Sequence, residues 1–393
     1  MQTLSQSPTD PAFVQDPYPF YERARALGPF FHWAEYGLAC TGNAAAVNSI
    51  FRDRRFGREA PPECAPAIAD HTRAFYAVES HSMLELEPPR HTRLRGLVLR
   101  AFTSRRIAAL EPEIAALSHQ LIDAFPTGGC DLLRHFGQKL PVVIIARLLG
   151  VPEDMSDQLL RWSNAMVGMY MAGRTRAAED RANTAAQEFS DFLRAYVDAR
   201  RADPRDDLIT HLIAAESEGE RLSTDELITT CILLLNAGHE ATVHSIGNGV
   251  KTLLETRTPP AALGPDAIDA TVEEILRYDP PLHMFTRWAY DDVDVMGHTF
   301  RRGDQVALLL AAANRDPGLW DTPQKFRPQR PVRANASFGA GLHFCVGAPL
   351  ARLELQIALP ILFERLPKLG LGAAPAYGDV YHFHGLTALP VSY

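Results

Sequence analysis

The chain has 393 residues, 46% of them hydrophobic and 22% charged, which is ordinary globular composition with enough apolar side chains for a large core. A formal net charge of −8 argues against nucleic acid as a main partner. No stretch reaches the ~18 apolar residues of a membrane span, and Met1–Pro11 lacks the basic start and apolar run of a secretory signal.

Length alone would allow two or three domains. The five cysteines, at 40, 64, 130, 231 and 345, are odd in number and unclustered. That usage suits a reducing cytoplasm rather than a disulfide framework. No internal repeat or low-complexity linker breaks the chain.

Residues 1–19 are Pro-rich and read as extended. Phe20–Leu27 reads as a short helix and His32–Cys40 as short strands. Residues 56–82 read as an irregular, partly helical loop. Glu87–Phe102 is a Pro-initiated helix, on which His91 and Arg95, as i,i+4 neighbours, share a face. Taken alone, an Arg-rich helix is a solvated basic face. Residues 106–200 read as almost wholly helical. Pro141–Gly150 is apolar nearly all round, which predicts burial. Trp162, Met166, Met169, Tyr170 and Met171 form an aromatic and Met cluster, suited to a core or to a pliable binding surface.

Leu222–Ile246 reads as one long helix, opened by a Ser223/Glu226 capping box. Its middle carries Ala237-Gly238-His239-Glu240-Ala241-Thr242. Glycine in mid-helix costs about 1 kcal/mol relative to alanine, so a close approach of something flat to the backbone is expected there. Further on, Glu274 and Arg277 are i,i+3 partners on a helix that stops before Pro280. Leu282–Phe285 reads as extended and apolar, and Val306–Leu310 as a buried strand. Tyr381–Val391 reads as a hairpin-like loop.

One cysteine stands apart. Cys345 lies in Phe338-Gly-Ala-Gly-Leu-His-Phe-Cys-Val-Gly347, and Ala348–Ile357 follows as a helix with Pro349 near its first turn. A thiolate so placed is favoured by the helix terminus. No second cysteine is near enough in sequence for a CxxC pair or a four-cysteine zinc site. A buried structural cysteine is the commoner meaning of a lone Cys, but Gly339, Gly341 and Gly347 allow the backbone to wrap closely around a ligand, and Arg333 and His343 add positive charge.

This loop resembles the haem-binding loop of the cytochrome P450 family, FxxGxHxCxG, and fills every fixed position: Phe338, Gly341, His343, Cys345 and Gly347. The resemblance covers about residues 11–393 through five motifs in the family's order. It implies a mainly α fold with a small β-rich lobe, one domain over residues 1–393, and haem b between the long central helix and the Cys345 loop. It implies Cys345 as axial thiolate ligand, and His91 and Arg95 (HxxxR) on one haem propionate with Arg287 (RxA) on the other. Ala237 and Gly238 lie over the haem. Glu274 and Arg277 (ExxR) form a structural pair completed by Arg330, and Ala313–Pro317 is a further signature. Residues 56–82 and the 162–171 cluster are expected to cover the substrate. The expected pocket is lined by Leu234, Ala237, Ala241, Leu282, Phe285 and Leu386.

The resemblance implies a monooxygenase that inserts one atom of O2 into a small apolar organic substrate, with electrons from an external ferredoxin and its reductase. A monomer in the cytoplasm is expected, with no membrane or nucleic-acid partner. From Lys325 to Leu353 the chain holds Lys325, Arg327, Arg330, Arg333 and Arg352 and no acid, which suits docking of an acidic ferredoxin.

One departure matters. The family's A-G-x-[DE]-T is matched at Ala237, Gly238 and Glu240, but the threonine is Ala241, and Thr242 follows about 100° further round the helix. Proton delivery needs a donor within hydrogen-bond reach or one water away. Glu240 and Thr242 are the catalytic candidates, through a water chain, a substrate hydroxyl or a helix distortion. Use of peroxide in place of O2 is the alternative enzyme reading, and a haem-binding sensor without turnover is the reading from outside enzymes.

Overall fold

The structure, a computed structural model, describes every residue except 172, 218, 380 and 382. Helices dominate, and a six-stranded sheet forms a lobe at one side. That sheet runs in the order Thr3–Leu4, Phe31–Trp33, Leu38–Thr41, Gln305–Leu309, Met284–Ala289, Phe56–Gly57. Met284–Ala289 pairs antiparallel with Gln305–Leu309, with Arg287 opposite Val306. A three-stranded sheet joins Gly370–Leu371, Pro390–Ser392 and Cys130–Asp131. The largest hydrophobic core runs from Val14 to Val391.

The central helix is longer than the sequence suggests, Thr224–Glu255, about 48 Å at 1.5 Å per residue. Its capping box is present: the Glu226 N–H donates to Ser223 Oγ, and the Ser223 N–H donates to the Glu226 carboxylate at 2.8 Å. Most of its residues from Leu227 to Leu253 are buried, so it passes through the molecule rather than over it.

Several boundaries differ from expectation. Residues 1–19 are not extended throughout. Asp10 caps a helix at Pro11–Gln15, and Tyr18–Ala26 is helical. The strand Cys130–Asp131 interrupts the helical run at 106–200, because Val391 and Pro390 pair with it from the far end of the chain. Such a pairing is invisible locally. In the C-terminal loop Phe383 bridges to Leu282 and Leu386 to Tyr377, while His382 lies outside the described residues.

Two buried polar ties fix these parts. Glu274 (2% exposed) accepts from Arg277 Nε at 2.7 Å and Nη2 at 2.8 Å, from Arg330 Nε at 3.1 Å, and from the Arg327 N–H at 2.8 Å. Arg277 also donates to the carbonyls of Asn314 and Pro323. Asn314 then holds Ser337 and the Ala336 N–H, which lead into the Cys345 loop. The second tie is Asn248 on the central helix, donating to the carbonyls of Asp279 and His384. Asp279 accepts from Tyr18 and Tyr377.

Replacing Glu274 with alanine leaves two buried guanidinium groups without their counter-charge. Removal of one partner from a buried ion pair costs about 3–5 kcal/mol. Glu274→Ala is therefore expected to lower the urea midpoint by that equivalent. A variant melting at the native midpoint would show the cluster to be dispensable.

Candidate active site

The Cys345 loop closes on itself through the Cys345 N–H, which donates to the Phe338 carbonyl at 3.0 Å. Gly341 has φ +69°, and a Cβ there would stand 2.1 Å from the Phe51 carbonyl oxygen. Only glycine fits. Gly347 caps the helix Ala348–Arg365, and the N–H groups of Gly347 and Ala348 are directed at the Cys345 sulfur. Cys345 lies deep in the fold yet keeps part of its surface accessible, as a side chain facing internal space does.

The expected lowering of the thiol pKa is not found. Burial pushes the Cys345 thiol up, and the Gly347 and Ala348 N–H groups, with Arg95 and Arg352, offset it only in part. Desolvation of an uncompensated thiolate outweighs the helix terminus. A cation bound to the sulfur would take the place of the proton.

The helix Arg90–Ala101 delivers His91 and Arg95 to the same place. The His91 ring is 4.4 Å from that of His343, and its Nδ1 is buried without a hydrogen-bond partner. Burial, then the charges of His343 and Arg95, push His91 down to about 4, so it is neutral at pH 7. Arg95 donates to the Phe344 carbonyl at 2.7 Å. Arg287 is 3% exposed, with its guanidinium over the Phe51 ring at 4.9 Å. It donates to the Thr286 carbonyl, and among the described residues no carboxylate pairs with it. Burial and then Arg58 pull it down to about 9. A buried guanidinium without an anion and a buried imidazole nitrogen without a partner are costly unless an acidic ligand meets them.

Two neighbours were missed from sequence. Glu87 accepts from His343 Nε2 and from the Arg58 N–H, both at 2.8 Å. Arg58 lies over the Phe285 ring at 5.4 Å and pairs with Glu85. Beyond it, Tyr170 donates to Glu79 at 3.0 Å, and burial followed by Glu85 pushes Glu79 up to about 8. The signal for Glu87 was its place directly before Pro88-Pro89-Arg90-His91. Arg58, in an irregular loop, had none.

The central helix opens one stripe. Leu233, Ala237, Glu240, Ala241 and His244 keep accessible surface while their helical neighbours are mostly buried. Spacings of three and four residues place them on one face. Leu282 and Phe285 are half-buried. Gly238 packs with space for a Cβ against Ile145 at 3.5 Å.

Four expectations are corrected. Leu234 is buried in the core, and Leu233 takes the open position. Leu386 is 4% exposed and packs toward Gly247, two turns past Ala241, so it is core rather than pocket. The Thr242 hydroxyl donates to the Gly238 carbonyl at 3.0 Å; it is spent inside the helix. Arg352 pairs with Glu273 and lies over the Phe338 ring at 4.5 Å, which removes it from a docking surface.

Haem held through a cysteine sulfur, bringing two carboxylates of its own, fits this donor set. The class so defined is that of haem-thiolate oxygenases. The family model for Cytochrome P450 matches residues 267–367. Cytochrome P450 monooxygenase PikC of Streptomyces venezuelae is 36% identical over 400 residues, covering 96% of this chain and 91% of PikC. The biotin biosynthesis cytochrome P450 of Bacillus subtilis (strain 168) is 35% identical over 399 residues, covering 100% of both chains. The solved structure of P450BioI in complex with hexadec-9Z-enoic acid ligated acyl carrier protein superposes with TM-score 0.92 at 34% identity, covering 97% of this chain and 100% of that one.

The chain belongs to the cytochrome P450 family. It is a monooxygenase with haem b as cofactor and the P450 fold, and it works with O2 and a redox partner.

Arg287 provides a direct check on the donor set. A hydrogen bond to a charged group contributes about 1.5–3 kcal/mol. Arg287→Leu is expected to speed haem loss to a scavenger globin by roughly tenfold to a hundredfold. Unchanged haem retention would place the carboxylates elsewhere.

Proposed function

We propose that this P450 inserts one atom of O2 into an unactivated C–H or C=C bond of an apolar organic substrate, taking electrons from an external ferredoxin and its reductase. The observation that carries the reading is the buried Cys345 sulfur with acidic-ligand donors at its loop: Arg95 on the Phe344 carbonyl and the unpartnered His91 Nδ1 beside His343. Cys345 would hold the haem iron through its sulfur. His91, Arg95 and Arg287 would hold the propionates, and Phe338, His343, Gly347, Ala237 and Gly238 would frame the haem. Bound haem supplies oxygen activation; the chain supplies the thiolate, the walls and the protons. Glu240 is the proton donor on the open face, since Thr242 has no free hydroxyl proton.

Leu233, Ala237, Ala241, Leu282 and Phe285 give the pocket an apolar wall, with Arg58, Glu85, Glu79 and Tyr170 as a polar end. A carrier-bound acyl substrate is in range, on the strength of the acyl carrier protein complex of the neighbour. Lys325 and Arg333 are exposed, with Val332 61% exposed next to Arg333, which supports a basic, partly apolar docking face; Arg327 pairs with Asp321 at 2.9 Å. The chain acts as one domain over residues 1–393, with a core spanning nearly its length, and as a cytoplasmic monomer whose cysteines are free. No helix among the described residues is long and apolar enough to cross a membrane. A peroxide-driven reaction is the second reading, favoured by Ala241.

The test is turnover with ferredoxin, reductase and O2 against turnover with peroxide, after a spectral titration of the ferric protein with terpenoids, free fatty acids, acyl carrier-bound fatty acids and macrocycles. The reading expects a spin-state change with an apolar compound and O2-dependent product. Product from peroxide alone would replace it with the second reading. Lys325→Glu with Arg333→Glu is expected to slow reduction several-fold at low salt and flatten its salt dependence. An unchanged rate would reject the docking face.

A further inference from the structure

Glu240 is flanked by two histidines of its own helix. Its Oε1 lies 3.6 Å from His239 Nε2 and its Oε2 lies 3.4 Å from His244 Nε2. His239 is 2% exposed, and its Nδ1 faces the Leu235 carbonyl at 3.2 Å and Ser163 Oγ at 3.4 Å. A carbonyl only accepts, so a proton belongs on that Nδ1. In a neutral ring Nε2 then bears a lone pair, turned toward a carboxylate oxygen that also bears lone pairs. At 3.6 Å the two are in charge contact rather than hydrogen-bonded, so a protonated His239 ring would be drawn to the carboxylate.

His244 differs. Its Nδ1 is buried without a hydrogen-bond partner, and Gly385 of the C-terminal segment is shaped around it: a Cβ at Gly385 would fall 1.9 Å from that nitrogen. The ring also adjoins Phe383, centroids 6.0 Å apart, and its charge reaches His384. Both hydroxyls nearby are committed to the helix, Thr242 to Gly238 and Ser245 to the Ala241 carbonyl at 2.8 Å.

We propose that His239 and His244 are positioning residues that load Glu240 with protons, doing what a hydroxyl at position 241 would otherwise do. This rests on Glu240 as the proton donor proposed above. Reducing O2 to one inserted oxygen and one water consumes two electrons and two protons. Glu240 gives up a proton toward the open stripe and regains one from His244 Nε2; the His244 ring, 18% exposed, is then reloaded with a proton from bulk water, so the pair returns to its starting charge. His239 lies 3.6 Å from the other carboxylate oxygen and steadies its charge.

Burial raises Glu240, but the hydrogen bond from His244 and the charges of His239 and His244 bring it below its ordinary range. Burial lowers His239. Losing the His244 partner must therefore raise the Glu240 pKa.

The test follows the Glu240 carboxylate by infrared titration of the ferric protein, its band assigned by its absence in Glu240→Gln. The midpoint is expected to move up in His244→Asn and, through displacement of the ring alone, in Gly385→Ala. Product formation should fall roughly tenfold to a hundredfold in His244→Asn, with more electrons lost as peroxide and a shifted pH profile. An unmoved midpoint and pH profile in both His244→Asn and His239→Asn would overturn the inference while leaving Glu240 in place. If Glu240→Gln kept native coupling, the proton-donor reading would fall and the inference with it.

Discussion

The loop that carries Cys345 is tied back to one buried carboxylate. Glu274 takes hydrogen bonds from two guanidinium groups and a backbone N–H, in surroundings where either charge alone would be prohibitive. Arg277 spends its remaining N–H groups on the carbonyls of Asn314, Pro323 and Lys325, in one stretch further along the chain. Asn314, one of those carbonyls' owners, grips the residues leading into the Cys345 loop. The position of the sulfur is thus set by a chain of hydrogen bonds starting at Glu274, not by the loop's own glycines. The glycines let the loop follow that path; at Gly341 the Phe51 backbone leaves no room for a side chain.

The central helix does comparable work for a second part of the site. Its middle presents Ala237, Glu240 and Ala241 to internal space, and two turns on, Asn248 ties the carbonyls of Asp279 and His384. The strand carrying Phe285 and Arg287 follows directly from Asp279-Pro-Pro. One rigid rod therefore fixes both the proposed proton donor and the start of the pocket wall. Errors in their separation are limited by helix geometry rather than by loop packing.

Much of this was legible in the sequence, because the elements concerned are local. The Cys345 loop, the Glu274–Arg277 spacing, the Ser223 capping box and the His91/Arg95 face are short patterns whose chemistry depends on helical or turn periodicity. What escaped is what tertiary contact decides. Arg352 looked like a free surface cation until Glu273 was brought beside it. Leu386 looked like a loop tip over the pocket until it packed toward Gly247. The thiol shift went the other way because burial is a property of the whole fold, while the helix terminus is read from a few residues. Glu87 and Arg58 meet only because the strand Phe56–Gly57 pairs with Ala289 and Trp288.

The displaced threonine shows how little a one-residue shift preserves on a helix. Thr242 stands about 100° round from position 241. There it is 2% exposed, and its hydroxyl returns to the Gly238 carbonyl one turn back. A hydroxyl bonded to its own helix stabilises that geometry but has no proton to offer a neighbour. Ser245 does the same to Ala241. The helix thus keeps its alcohols and withdraws them from the cavity in one stroke. The acid that remains is the only titratable group on the open stripe besides His244, and the two histidines beside Glu240 are what distinguishes it from an isolated buried carboxylate. A lone buried acid would rise in pKa and hold its proton; the imidazoles beside Glu240 bring it below its ordinary range instead, so it rests as a carboxylate that takes up a proton and passes it on, which is what a group reloaded in every turnover requires.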